Sequence, residues 1–144
     1  MRILDGQLVL SPSDLSSFLS CRHKGGLDLA RAHKVLERPD TDNPYAAILQ
    51  KHGEDHERAY VESLRAQGLT IVNAKPEKET PAEESTRLTV EAMRAGVDVI
   101  VQARLAEGDL AGYADVLRRV ERPSHLGAWS YEAQDTKLAR ETKG

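Results

Sequence analysis

The sequence predicts an α/β domain of the α+β kind, in which N-terminal helices pack on a three-stranded antiparallel meander. Apolar residues recur at helical spacing through the first part of the 144 residues, and their period changes to two beyond Gly96. Short turn sequences separate the segments of period two, as in an antiparallel sheet. We expect one domain, with a helical part at residues 1–68 and a strand, helix and sheet part at residues 69–144.

Three regions have the spacing and the end signals of helices. In the first, residues 13–34, Gly25 and Gly26 interrupt the apolar pattern, so we expect two helical pieces with a bend at these glycines. The second begins at Pro44 and ends near Gly68. The third covers about residues 83–94 and ends at Gly96. The helices thus precede the sheet, apart from a short β-prone run at Leu69 to Val72.

Three segments of period two form the predicted meander. They read VDVIVQARL, GYADVLRRV and WSYEAQDTKL, with GD and RPSHLG supplying the turns between them. The first turn is short enough for a hairpin. The second is longer, and both connections make neighbouring strands antiparallel.

Composition sets limits on what the chain does. No apolar run approaches the roughly 20 residues that a membrane-spanning helix needs. The N-terminus lacks the pattern of a secretory signal. We therefore expect a soluble, cytoplasmic protein without a membrane partner, and the single Cys21 agrees with a reducing compartment. The net charge of −3 argues against nucleic-acid binding through charge alone. It remains compatible with a carboxylate site whose cation supplies local positive charge.

Two strands of the meander carry acidic residues within a period-two pattern. Side chains alternate across a strand, so we expect Tyr113, Asp115 and Leu117 to share one face of the second strand. By the same rule Asp135 and Lys137 share one face of the third. If the strands pair so that Asp115 lies near Asp135, the two carboxylates favour a cation between them, and Mg²⁺ commonly takes one or two carboxylates.

A bland alternative exists for these charged residues. Alternating charges on an exposed strand usually form a solvated face with cross-strand ion pairs. For Asp115 the surroundings favour a ligand role, because residues 112–117 are otherwise small or apolar and burying a carboxylate without a partner is costly. Glu132 alternates to the opposite side of its strand from Asp135, so it is not a candidate.

Several motifs together resemble a known family. The pattern G-x-x-D at residues 112–115, followed by D-x-K at residues 135–137, resembles the PD-(D/E)XK nuclease core, specifically its RecB-family branch. Upstream, HGEDHE at residues 52–57 and SPSDLSSFLSC at residues 11–21 also match that branch. Each motif alone is weak, but their order and spacing cover nearly the whole chain.

The resemblance implies a restriction-endonuclease-like core and a DNA nuclease dependent on Mg²⁺ or Mn²⁺, acting in DNA repair, recombination or defence. Asp115, Asp135 and Lys137 would be catalytic, and His56 would join the two aspartates as a metal ligand. His52, four residues earlier, is the competing histidine. We expect Asp55 and Glu57 to be solvated charges. Family members continue into a further core helix, so we expect a truncated domain of a longer polypeptide with additional nuclease or helicase domains.

Cys21 has two interpretations. Some relatives bind a four-iron, four-sulfur cluster through one early cysteine and three late ones, and Cys21 matches only the first position. Such a cluster is therefore expected only in a longer protein. The alternative is a small buried hydrophobe on the first helix.

The resemblance also suggests where DNA binds. The candidate contacts are Arg118, Arg119, Arg122 and Arg140, with Lys143 beyond them, although such residues often serve only solubility. Trp129 could stack on a base, but an aromatic residue leading into a strand more often packs on the core. The alternative function is a non-catalytic DNA-binding or scaffolding module that keeps the nuclease fold.

Overall fold

The computed structural model describes residues 1–4, 6–37, 43 and 45–135. The predicted mixed α/β class is confirmed: the described part has four helices, a four-stranded sheet and a two-stranded sheet. In chain order the elements are β1 (Arg2–Leu4), β2 (Gln7–Val9), α1 (Pro12–Ser20), α2 (Arg22–Ala32), α3 (Ala46–Ala66), β3 (Ile71–Asn73), α4 (Ala82–Ala95), β4 (Val99–Glu107), β5 (Leu110–Val120) and β6 (Ser130–Gln134). None of the described helices is both long and apolar enough to cross a membrane.

The chain forms two compact units. The first contains residues 1–42 and 105–112, and the second contains residues 43–104 and 113–144. The helices of the predicted helical part are therefore divided, since α1 and α2 belong to the first unit and α3 belongs to the second.

The first unit begins with a hairpin that the sequence analysis missed. Strands β1 and β2 pair antiparallel, with Ile3 opposite Leu8. Gly6 has a φ of 80°, a left-handed conformation that glycine adopts without steric cost. The sequence signal was an Asp-Gly pair between two short apolar runs, which is typical of a hairpin turn.

The bend between the first two helices lies elsewhere than predicted. It falls at Cys21, whose extended backbone separates α1 from α2, whereas Gly25 and Gly26 both lie inside α2. The prediction of a bend at the glycines was wrong, since the helix continues through both of them. A Cβ atom at Gly25 would lie 2.9 Å from Cδ2 of Phe18, so a larger residue there would require the Phe18 ring to move.

The second unit is built on a four-stranded sheet with the order β3, β4, β5, β6. The three strands of the predicted meander are confirmed, and β5 and β6 pair antiparallel. Strand β3 adds a fourth strand, which pairs parallel to β4 with Ile71 opposite Val99. Helix α4 connects these two parallel strands and makes the sheet mixed.

Two apolar clusters cover the two faces of this sheet. The cluster on the α4 face consists of Ala74, Ala92, Ile100, Ala103 and Leu117, with Ala114 packed against it. The cluster on the α3 face consists of Leu64, Val99, Val101 and Val116, with Tyr60 packed against it. The side chains of the first residues of β4 therefore alternate between the two faces of the sheet: one contacts the cluster on the α3 side and the next contacts the cluster on the α4 side.

Candidate functional site

The pairing of β5 with β6 aligns the two candidate aspartates. In this register Val116 lies opposite Gln134 and Leu117 lies opposite Ala133. One further step along both chains sets Asp115 opposite Asp135, which directly follows β6. In directly opposed positions of an antiparallel pair, Cβ atoms are about 4.5–5.5 Å apart. The register therefore places the two residues that the sequence pattern selected at neighbouring backbone positions, directly beyond the last pair of the ladder.

Strand β4 contains a break in its alternation. Ile100 and Ala103 both belong to the α4 cluster, although strict alternation would put them on opposite faces. Between them Gln102 has a φ of 51°, and its Nε2 donates a hydrogen bond to Oε1 of Glu57 on α3 at 2.6 Å. Val101 and Gln102 therefore both face α3, which is a local break in the alternation of the strand. A non-glycine residue in this conformation costs on the order of 1–3 kcal/mol.

Strand β5 has the matching break. Ala114 and Leu117 both contact the α4 cluster, whereas Val116 belongs to the α3 cluster. The residue whose orientation this pattern leaves open is Asp115.

Pairing between β4 and β5 resolves the orientation of Asp115. The backbone N–H of Arg119 donates to the carbonyl of Asp98 at 2.9 Å. Gln102 lies four residues after Asp98 and Asp115 lies four residues before Arg119, so Gln102 and Asp115 are opposite each other. Because opposed residues share a face, we infer that Asp115 faces α3 together with Gln102. The neighbouring pairs agree, since each has both members in contact with one cluster: Ile100 with Leu117, Val101 with Val116, and Ala103 with Ala114.

The prediction that Asp115 and Leu117 share a face assumes regular alternation along β5, and the break at Gln102 interrupts that alternation in the neighbouring strand. Asp115 is half-buried and Asp135 is exposed.

Helix α3 directs Glu57 toward the sheet. Glu57 and Tyr60 are half-buried and Leu64 is fully buried, which defines the inner face of the helix. His52 and His56 are both exposed. The expectation that Glu57 is a solvated charge was wrong, because it accepts the hydrogen bond from Gln102. The same expectation is confirmed for Asp55, which is exposed and pairs with Arg58 at 3.2 Å.

Within the described ranges, no three His, Cys, Asp or Glu side chains are close enough together to hold a metal ion. His56 is thus not gathered with Asp115 and Asp135 into a three-ligand group, and Lys137 lies outside the described residues. Two opposed carboxylates still fit Mg²⁺ or Mn²⁺, hard cations that accept one or two protein carboxylates and fill the remaining positions with water or substrate oxygens.

No family model, curated protein or solved structure matches this chain. A functional assignment must therefore come from its own residues and their arrangement.

The candidate DNA contacts have individual surroundings. Nη1 of Arg119 donates to the carbonyl of Gly96 at 3.0 Å, and its guanidinium lies 5.1 Å from the centre of the Trp129 ring. Arg122 forms an exposed ion pair with Glu132 at 3.1 Å. Arg118 is half-buried, and Arg140 and Lys143 lie outside the described residues.

Trp129 is packed, as the alternative interpretation predicted. Its Nε1 donates to the carbonyl of Met93 at 3.0 Å, and its ring lies against Gly96 and Gly127. The indole therefore packs against the C-terminal end of α4 and stabilises it.

The remaining motif residues lie in the first unit. Cys21 is exposed, so its interpretation as a buried hydrophobe was wrong. Its position at the junction between α1 and α2 leaves its sulfur outside the apolar contact of Phe18 with Gly25. Gly112 packs on Pro12, and a Cβ atom there would lie 2.8 Å from Cδ of the proline ring. This contact explains why the G-x-x-D pattern has glycine at that position.

Proposed function

We propose that the chain is a nuclease domain that hydrolyses phosphodiester bonds of DNA with Mg²⁺ or Mn²⁺. The observation that carries the proposal is the register of β5 and β6, which pairs Val116 with Gln134, the residues next to Asp115 and Asp135. The half-buried position of Asp115 near the unusual backbone of Gln102 supports it further, because strained backbone conformations cluster at functional sites.

Each residue has a definite task in this proposal. Asp115 and Asp135 would hold the cation, and Lys137 would orient the attacking water and offset the charge that develops on the phosphate. When bound, the cation supplies positive charge at the scissile phosphate. Nuclease activity and a role in DNA repair, recombination or defence also rest on the family resemblance of the motifs at residues 52–57, 112–115 and 135–137.

Metal binding is the first test. We expect isothermal titration calorimetry to show Mn²⁺ binding to the wild-type protein, and Asp115→Asn or Asp135→Asn to weaken it by more than about 100-fold, since even outer positioning residues of metal sites cost 10–100-fold. Glu132→Gln is the matched control. It removes a carboxylate from the same strand as Asp135 but disrupts only an exposed ion pair, so its affinity should equal that of the wild type.

Cleavage of labelled single-stranded and double-stranded DNA is the second test. We expect Mn²⁺-dependent products that EDTA abolishes and that both asparagine variants lack. DNA binding that persists in EDTA, without metal uptake or cleavage, would instead identify a non-catalytic DNA-binding module. Thermal unfolding of every variant checks that a loss of activity is not a loss of fold.

A further inference from the structure

The most unusual backbone conformation near the proposed site is that of Gln102. Its φ of 51° lies within β4, at a residue whose side chain disfavours the left-handed region. Such conformations persist where the surrounding structure holds them, and they are concentrated at functional sites.

The side chain of Gln102 has a specific anchor. Its amide donates to Glu57 at 2.6 Å in a partly buried setting that connects β4 to α3. Other acidic residues of α3 behave differently: Glu54, Asp55 and Glu62 are exposed and pair with neighbours on their own helix. Among these four residues, Glu57 alone is bonded to the sheet.

Gln102 is also the residue opposite Asp115. The breaks in the alternation of β4 and β5 fall in the same cross-strand pair, so neither strand contains an extra residue and the register is kept. Without these breaks, strict alternation would return Asp115 to the face of Leu117, where α4 packs.

We propose that Gln102 and Glu57 are positioning residues for Asp115, an inference that rests on the proposed nuclease function. The Glu57 carboxylate holds the Gln102 amide, and this bond maintains the left-handed backbone that turns Asp115 toward α3. Neither residue needs to touch the cation.

The test compares substitutions at Gln102 that differ in backbone preference. Gln102→Gly loses the side chain but adopts positive φ without cost, so Mn²⁺ affinity should stay close to that of the wild type. Gln102→Ala loses the anchor and disfavours positive φ, so affinity should fall by about 10–100-fold. Glu57→Ala should weaken binding similarly, and combining it with Gln102→Gly should restore it. Glu57→Gln keeps a hydrogen-bond acceptor and should bind as the wild type does.

Tyr60→Phe is the matched control. It removes another hydrogen bond between α3 and the sheet, from Tyr60 to Gln134 at 2.7 Å, and leaves the contact between Gln102 and Glu57 intact. We expect a lower melting temperature with unchanged Mn²⁺ affinity. If Gln102→Ala and Glu57→Ala gave the same result as Tyr60→Phe, their role would be structural only and the proposal would be overturned.

Crystal structures of the metal-free variants provide a readout that does not depend on binding. The side chain of Asp115 should face α3 in the wild type and in Gln102→Gly, and should turn away in Gln102→Ala and Glu57→Ala. If the wild-type protein bound no Mn²⁺, the proposed nuclease function would be contradicted. The crystal structures would still show whether Gln102 and Glu57 determine the orientation of Asp115. Asp115 on the α3 face in Glu57→Ala would refute it, even if Gln102→Ala failed to fold.

Discussion

Asp98 illustrates how a single carboxylate organises the edge of the sheet in the second unit. Its side chain accepts hydrogen bonds from the backbone N–H of Thr70 at 2.8 Å and from the Thr70 hydroxyl at 2.6 Å. The backbone N–H of Asp98 in turn donates to that hydroxyl at 3.0 Å. These bonds connect the residues that precede the parallel strands β3 and β4. The hydrogen bonds from Thr70 also hold the pKa of Asp98 below its usual range.

Replacing Asp98 with asparagine should therefore make stability less dependent on pH. A lowered pKa in the folded state means that the carboxylate stabilises the fold above the unfolded pKa of about 4, and that this stabilisation is lost as the pH falls through the folded pKa. We expect Asp98→Asn to lower the free energy of unfolding by about 1 kcal/mol at pH 7, because the site is near the surface. Urea titrations between pH 2 and 7 measure the difference, which should shrink below pH 4. A constant difference would contradict this role.

At the scale of elements, β6 is joined to the C-terminal end of α4. The hydroxyl of Tyr131 donates to the carbonyl of Val97 at 2.7 Å, and the Trp129 indole donates to Met93. Burial raises the pKa of Tyr131, in agreement with its packing against the α4 cluster. The helix itself ends at Gly96 in the left-handed conformation that glycine favours.

Removing the Tyr131 hydroxyl should test this connection. We expect Tyr131→Phe to lower the free energy of unfolding by about 1 kcal/mol, the net contribution of one hydrogen bond, with the ring packing retained. Tyr113→Phe, at a more exposed position of β5, serves as the control and should change stability by less than about 0.5 kcal/mol. Equal effects of the two substitutions would show that the bond to Val97 contributes nothing specific.

Elements with strong local signals could be predicted from the sequence. Helices α3 and α4 and the three meander strands follow from apolar periodicity and from glycines at their ends. The break at Gln102 could not be predicted, because its sequence, VIVQARL, has the composition of a regular strand. The side-chain partner of Gln102 is also distant in sequence, since Glu57 lies 45 residues earlier in the chain.

At the scale of the whole molecule, each unit has its own distribution of apolar surface. In the second unit, the two clusters bury the apolar residues of the sheet on both faces. In the first unit, α1 and α2 expose large apolar side chains, with Leu15 60% and Leu19 76% exposed. Exposed apolar side chains on neighbouring turns of one helix form a patch that favours contact with other apolar molecules.

The apolar surface of α1 should bind hydrophobic dyes. We expect the folded protein to raise the fluorescence of anilinonaphthalene sulfonate, and the double substitution of Leu15→Gln with Leu19→Gln to reduce this signal, since both side chains belong to the patch. Ser16→Gln on the same helix is the control, since it introduces a glutamine at another exposed position without removing an apolar side chain. An unchanged signal in the double variant would place the dye elsewhere.

The first unit is discontinuous in sequence, and this affects how it is made. The backbone N–H of Leu10 donates to the carbonyl of Asp109 at 2.8 Å, and the N–H of Ala111 donates to the carbonyl of Leu10 at 2.9 Å. During synthesis from the N-terminus, residues 1–42 therefore leave the ribosome well before the segment that completes their unit. The nascent N-terminal region must wait until residues 43–104 have been synthesised before its last backbone partners arrive, so chaperone contact during translation should concentrate there.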